Sequence, residues 1–203
     1  MGLRLRFLCW WTPKYFIRRE LENVSNQTTA ALQALLEKYA PKEPAIQAPL
    51  LSKSIDEQRL NMAQTHVKMV EALQKAVGQE KAVRLGRAAL FSVGENLGQQ
   101  TRVRLGVGDN RRDLVKAARI LYRVLGINFR IEQADGTNVE VTIDRCALAK
   151  KYSKLTCEVL SATDEGVIKG LQPDVRLKFN QYMTSGCENC KANLIFNVKE
   201  TTT

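Results

Sequence analysis

Four of the chain's five cysteines, Cys146, Cys157, Cys187 and Cys190, fall in its last third, and the final pair sits at Cys-x-x-Cys spacing inside "TSGCENC". Thiolates are soft ligands, and a tight turn brings two sulfurs to one side, so Cys187 and Cys190 could share a tetrahedral Zn²⁺ with two further donors. Cys146 and Cys157 are separated by ten residues and lack the second short pair of a zinc ribbon. Three readings therefore stand side by side. They are a zinc set of Cys146, Cys157, Cys187 and Cys190, a reactive thiol, and small apolar residues packed inside the fold.

A reactive thiol needs a lowered pKa, and Cys146 is the best placed of the four. It follows Arg145, precedes Lys150 and Lys151, and reads as the opening of a helix, where cations and the helix dipole favour the thiolate. Such a group attacks an electron-poor carbon and leaves a covalent intermediate for water to resolve. Asp164, in "SATDEG", is the carboxylate best placed to move protons, although Asp and Glu before Gly are equally ordinary helix-ending residues. The single histidine, His66 in "AQTHVKMVEAL", lies beside an apolar stripe and reads as structural or solvated, so the chemistry is expected to run without it.

Helices come first along the chain. Residues 26–39 place Leu32, Leu35, Leu36 and Tyr39 on one face, and Pro41 ends the run. A proline-rich connector, "PKEPAIQAPLL", leads to a capping box from Ser54 to Glu57 and a stripe of Leu60, Ala63, Val67, Val70, Leu73 and Val77, stopped by Gly78. A third helix is expected from Gln79 to Leu97. A fourth is expected from Asn110 to Leu125, capped by Asp109 and ended by Gly126. The period then becomes alternating in "INFRIEQ" and "NVEVTID", joined by "ADGT", returns to helical over two expected short helices, and ends in "DVRLKFNQYM" and "KANLIFNVK". The fold class is thus α+β: a helical N-terminal part followed by ββααββ, helices covering one side of a small antiparallel sheet. Residues 1–22 form a basic, aromatic segment ahead of one domain, helical over 23–126 and cysteine-bearing over 127–203.

The net charge of +10 is uneven. Residues 79–126 hold ten basic against four acidic residues, whereas 127–203 hold ten of each. The cysteine-bearing part is neutral, and nucleic acid is not the expected partner. The first segment mixes Arg4, Arg6, Lys14, Arg18 and Arg19 with Phe7, Trp10, Trp11, Tyr15 and Phe16, is too short and charged to span a bilayer, and is broken by Pro13. That composition suits either peripheral membrane contact or packing on the body or on a second copy in a homo-oligomer. An odd cysteine count without a cleavable leader points to a reducing, cytoplasmic compartment.

Over about the last 60 of 203 residues, the run from Asp144 to Phe196 resembles the L-2-amino-thiazoline-4-carboxylic acid hydrolase family. The resemblance is carried by Cys146 (followed by Ala147 where that family tends to have Pro), Cys157 with Asp164, Pro173 with Phe179, and Thr184, Gly186, Cys190 and Phe196. It implies opening of a small cyclic carbon–nitrogen substrate by water. Cys146 would be the nucleophile, Asp164 the acid or base and Arg145 the carboxylate partner, with Cys157, Gly186 and Cys190 around the substrate and no cofactor required. The same run is also similar to the vinyl-4-reductase (V4R) type of small-molecule-binding domain, which implies a non-catalytic sensor holding a ligand or zinc. There Met183 stands where that pattern has a further cysteine.

Overall fold

The computed structural model describes residues 3–41, 46, 54–133 and 138–196. Six helices are present among them: α1 Leu3–Trp10, α2 Lys14–Tyr39, α3 Ile55–Val77, α4 Gln79–Leu105, α5 Arg111–Leu125 and α6 Lys154–Leu171. Four strands, β1 Ile127–Gln133, β2 Asn138–Cys146, β3 Val175–Gln181 and β4 Cys190–Phe196, form one antiparallel sheet in the order β1-β2-β4-β3. The α+β class holds, with one revision. A 3-10 turn, Leu148–Lys150, and the single long α6 replace the two expected short helices. The "ADGT" turn and most of the proline-rich connector lie outside the described residues.

Local chemistry sets the ends of these elements. Ser54 caps α3 by accepting from the Glu57 amide at 3.4 Å, Ser153 caps α6, and Gly126, at φ 71°, ends α5 in the left-handed conformation that glycine adopts without strain. The cap of α5 is Asn110, one residue after the expected Asp109, and its side chain accepts from the Asp113 amide at 2.9 Å. Two helices are longer than their apolar spacing suggests. Helix α2 starts at Lys14 and runs through residue 22, and α4 continues past Leu97 to Leu105.

Helices α4 and α6 meet backbone to backbone. A Cβ built on Gly94 would overlap the Thr163 carbonyl oxygen, and one on Gly98 the Val167 carbonyl. In return, Gly166 and Gly170 lie against the carbonyls of Phe91 and Glu95. Two Gly-x-x-x-Gly pairs thus interlock, each presenting a flat strip one turn long to the other helix. On the far side of α6 the sheet contributes Val139, Val141, Leu177, Ala192 and Leu194 to the main core.

The sheet is bulged twice at one end. Phe129 faces Ile143 while Asn128 faces Arg145, so Asp144 is an extra residue, and Asn180 is likewise skipped between the Phe179–Ala192 and Gln181–Lys191 pairs. Each bulge reverses the in–out alternation beyond it. Val139, Val141 and Ile143 face inward and are buried; after the bulge Arg145 is exposed and Cys146 turns in. Unbroken alternation would have given the opposite result.

Alanine at Gly94 must push α6 away, whereas alanine at Gly78 (φ 81°) meets nothing within 4 Å and suffers only backbone strain. Urea unfolding is expected to show a loss of about 3 kcal/mol for Gly94→Ala and about 1 kcal/mol for Gly78→Ala. Equal losses would mean the glycine contact is not under packing constraint.

Candidate functional site

Beneath the bulged end of the sheet lies a cavity of about 80 Å³, walled by α2, α3 and α6 and by the Cys146–Tyr152 segment. Cys146, Cys157, Cys190, Asp164 and His66 all line it, although they are scattered over 125 residues of sequence from His66 to Cys190. Arg145, Gly186 and Cys187 do not. Gly186 ends the 3-10 turn Met183–Ser185 at φ 89°, a conformational role, and Cys187 stands in the same connection. The four-cysteine zinc set is therefore not assembled: among the described residues, no three His, Cys, Asp or Glu side chains are grouped to hold a metal ion.

Cys146 requires a correction. It closes β2 and does not open a helix, and burial pushes its thiol up to about 11. Burial pushes Cys157 further, to about 12, and raises Cys190 as well, whose sulfur accepts the Met183 amide at 3.3 Å. All three cavity thiols are protonated at neutral pH. The Arg145 assignment loses its geometric basis too, because the bulge that turns Cys146 inward leaves Arg145 exposed on the other side of the strand.

Asp164 sits on the cavity side of α6, one residue from the carbonyl that touches Gly94. Burial first, and the neighbouring Glu165 charge second, raise its carboxyl to about 7. It is the one cavity group expected to change charge near neutrality. His66 lies fully inside, 1% exposed, and burial lowers it to about 4.

The His66 network fixes its tautomer. Thr28 donates its hydroxyl to the Val24 carbonyl at 2.8 Å, so it accepts from His66 Nε2–H at 2.9 Å, and Nδ1 accepts from the Tyr152 hydroxyl at 2.8 Å. Both ring nitrogens are used, one on Thr28 and one on Tyr152, as in a structural histidine. The spacing Met62, Ala63, His66, Met69, Val70, Leu73 shows its burial, since His66 falls within the stripe and not at its edge. Sequence reasoning missed Tyr152, Ser161 and Tyr182. The last two are joined at 3.1 Å, and Tyr182 stacks on Phe179 with centroids 5.6 Å apart, a pairing three residues apart that the second bulge permits.

A second cavity, about 70 Å³ and almost wholly apolar, shares Val24, Leu125, Thr163 and Asp164 with the first. It extends between α5 and the sheet over Leu114, Val115, Ala118, Leu121 and Phe129. Its one other carboxylate, Glu20, is clamped by both terminal nitrogens of Arg104 at 2.8 and 2.6 Å.

The two shifted groups titrate against each other. His66 binds its proton more weakly folded than unfolded, so between pH 6.5 and about 4 stability falls with acidification. Asp164 binds its proton more tightly folded, so between 3.8 and about 7 stability falls as pH rises. Each slope is about 1.4 kcal/mol per pH unit, and they cancel over most of that window. Wild-type stability is therefore expected to be nearly flat from pH 4.5 to 6.5, while Asp164→Asn becomes steadily more stable as pH rises through it. Chemical denaturation at four pH values checks this, and parallel profiles for the two proteins would refute the assignment.

No curated protein matches the sequence. Among solved structures, a trafficking protein particle complex subunit 3 from Naegleria fowleri, covalently bound to palmitic acid, is 13% identical at TM-score 0.52, covering 68% of this chain and 95% of that one. This likeness shows a shared fold. An H-NOX protein from S. oneidensis (13% identical, TM-score 0.45, 90% and 97% covered) and the T. Tengcongensis H-NOX (12%, 0.41, 92% and 98%) are also similar. The model of the L-2-amino-thiazoline-4-carboxylic acid hydrolase family matches residues 58–194, well beyond the run from Asp144 in which the resemblance was legible. With about two thirds of its length matched, from α3 through to β4 and including every cysteine and carboxylate of the cavity discussed above, the chain belongs to that family.

Proposed function

We propose that this chain hydrolyses a carbon–nitrogen bond in a small thiazoline-like cyclic substrate bound in the cavity, with Asp164 carrying the proton. The observation behind this reading is a lone carboxyl, raised to about 7, facing a cavity lined by apolar and weakly polar groups. Water oxygen bonds to the C=N carbon as Asp164 takes its proton. Asp164 passes that proton to the former C=N nitrogen; the new hydroxyl then gives up its own proton, through Asp164, to the ring nitrogen or sulfur as the bond from that atom to carbon breaks and C=O forms, so that one water is added overall. No cofactor is required.

Cys146 can replace water as the first nucleophile if it passes its proton to Asp164 while attacking. The gap between about 11 and about 7 makes that transfer cost about 5 kcal/mol, a modest share of an enzymatic barrier. Asp164 is common to both routes. A second reading, a non-catalytic small-molecule-binding domain of V4R type, is favoured by one observation: all three cavity thiols are held protonated. The similar trafficking-complex subunit, bound to palmitic acid, supports the idea that this fold can enclose a ligand.

With a thiazoline substrate, kcat/KM is expected to rise with pH through about 7, as Asp164 loses its proton. Asp164→Asn should lower kcat by about 10² to 10⁴, the range for a positioned acid–base group. Cys146→Ser retaining turnover selects the water route. Full activity in Asp164→Asn would overturn the role given to Asp164, whereas ligand binding without any turnover in wild type would leave the binding-domain reading in place.

A further inference from the structure

We infer that the substrate of this chain carries no carboxylate and instead bears a small apolar substituent, housed in the second cavity. The inference takes its cyclic amidine core from the hydrolase reading above. It rests on which charges do and do not reach the cavity. No Lys or Arg among the described residues lines the first cavity, and His66, neutral and doubly hydrogen-bonded, supplies no cation.

The neighbouring cations are all committed or face elsewhere. Arg145 on β2 and Lys150 and Lys151 after it are exposed. Arg59 on α3 is spent on Asp56 and on the Arg123 and Val124 carbonyls. Arg87 on α4 binds Glu165, the Glu158 carbonyl and Ser161, and borders an outer groove beyond the Phe179–Tyr182 stack. A substrate carboxylate in the cavity would thus be desolvated without a partner, beside a carboxyl of its own sign. A protonated amidine has the opposite relation to Asp164, because its positive charge meets the one group able to become negative.

The second cavity supplies the rest of the specificity. It lies beside the first, sharing Asp164 and Thr163 as a common wall, and continues over aliphatic and aromatic side chains, with Glu20 paired to Arg104. A cavity of roughly 150 Å³ with such a lining accommodates benzene, and the two spaces together are of that order. A heterocycle against Asp164 with a three-carbon chain or a ring directed between α5 and the sheet matches both linings.

Calorimetric titration with 2-amino-2-thiazoline, its 4-carboxylate and its 4-propyl derivative tests this, with ring-opened product followed separately. The propyl compound is expected to bind roughly tenfold or more tightly than the parent, and the carboxylate more weakly than the parent. Ala118→Phe, which fills the second cavity, should abolish the propyl advantage over the parent. The same binding order without ring-opened product supports this inference and overturns the hydrolase reading. The carboxylate binding best, the propyl group giving no gain, or none of the three binding overturns the inference.

A separate observation concerns the outer surface of α1. Leu5 is fully buried, and Arg123 of α5 grips the Thr12 hydroxyl at 2.7 Å and the Cys9 carbonyl at 3.2 Å, which fixes the helix on the body. That anchoring leaves Phe7, Trp10, Trp11 and Tyr15 exposed at 50%, 83%, 55% and 67%. Arg4, Arg6, Lys14 and Arg19 are exposed among them, and the sequence holds no acidic residue before Glu20. The geometry points to an anionic bilayer surface as the occupant: indole rings sit at headgroup depth, and the cations meet acidic lipid. Among the described residues no helix is long and apolar enough to cross a membrane, so the contact is peripheral.

Co-sedimentation of the full chain is expected with vesicles of phosphatidylcholine and phosphatidylserine and not with phosphatidylcholine alone. Arg6→Ser should weaken binding about fivefold, and Trp10→Ala with Trp11→Ala by more. Equal partition to both vesicles, or no vesicle binding together with a dimer that the tryptophan variants convert to monomer, overturns the membrane assignment.

Discussion

The rest of the structure hangs on the close approach of α4 and α6. Four glycines remove the side chains that would hold the helix axes apart, and backbone carbonyls of each helix lie against Cα atoms of the other. Glycine in a helix costs about 1 kcal/mol per position relative to alanine, so this chain accepts several unfavourable positions to gain one short distance. The return comes from dense packing and from Cα–H···O contacts across the seam. Because α6 cannot slide or roll on such a seam, the depth of Asp164 is set by the backbone and not by the shape of any side chain. The sheet then closes the other side, and its two bulges turn Cys146 and Tyr182 toward that carboxyl.

The cavity is set apart by how little charge it holds. The cavity leaves a single acid in an apolar setting and surrounds it with thiols, two phenols and a neutral imidazole. Burial first, and the Asp164 charge after it, raise the cost of ionising Cys146, Cys157 and Cys190. Asp164 is the first of these groups to ionise, and once charged it suppresses the others. Burial, with that suppression added, keeps the cavity at no more than one net negative charge over the physiological pH range.

Local periodicity made the element types readable, and it failed where two elements interact. The capping box at Ser54, the stops at Gly78 and Gly126 and the alternating strands were visible because each depends on residues a few positions apart. Asp164, Cys146, Cys157 and Cys190 were recognisable as chemistry, and they do meet in one cavity. Two features were not recoverable. An extra residue in a strand leaves no mark on the strand's own sequence, since a bulge is defined against its partner, and this inverted the placement of Arg145 and Cys146. The Gly-x-x-x-Gly pairs were present in "VGENLG" and "EGVIKG", but spacing in one helix becomes informative only when the facing helix is known.

The raised thiols also bear on durability. Peroxide and electrophiles attack thiolate, and at pH 7 a group titrating near 11 is ionised on the order of one part in 10⁴. Sulfur therefore enters this cavity as a soft, polarizable wall, able to lie against a flat heterocycle through dispersion while staying inert to oxidants that pass through. Replacing the three cysteines with serine would keep the approximate size of the cavity but substitute hard hydroxyls that demand hydrogen-bond partners, and the interior would exchange an oily surface for one that holds water.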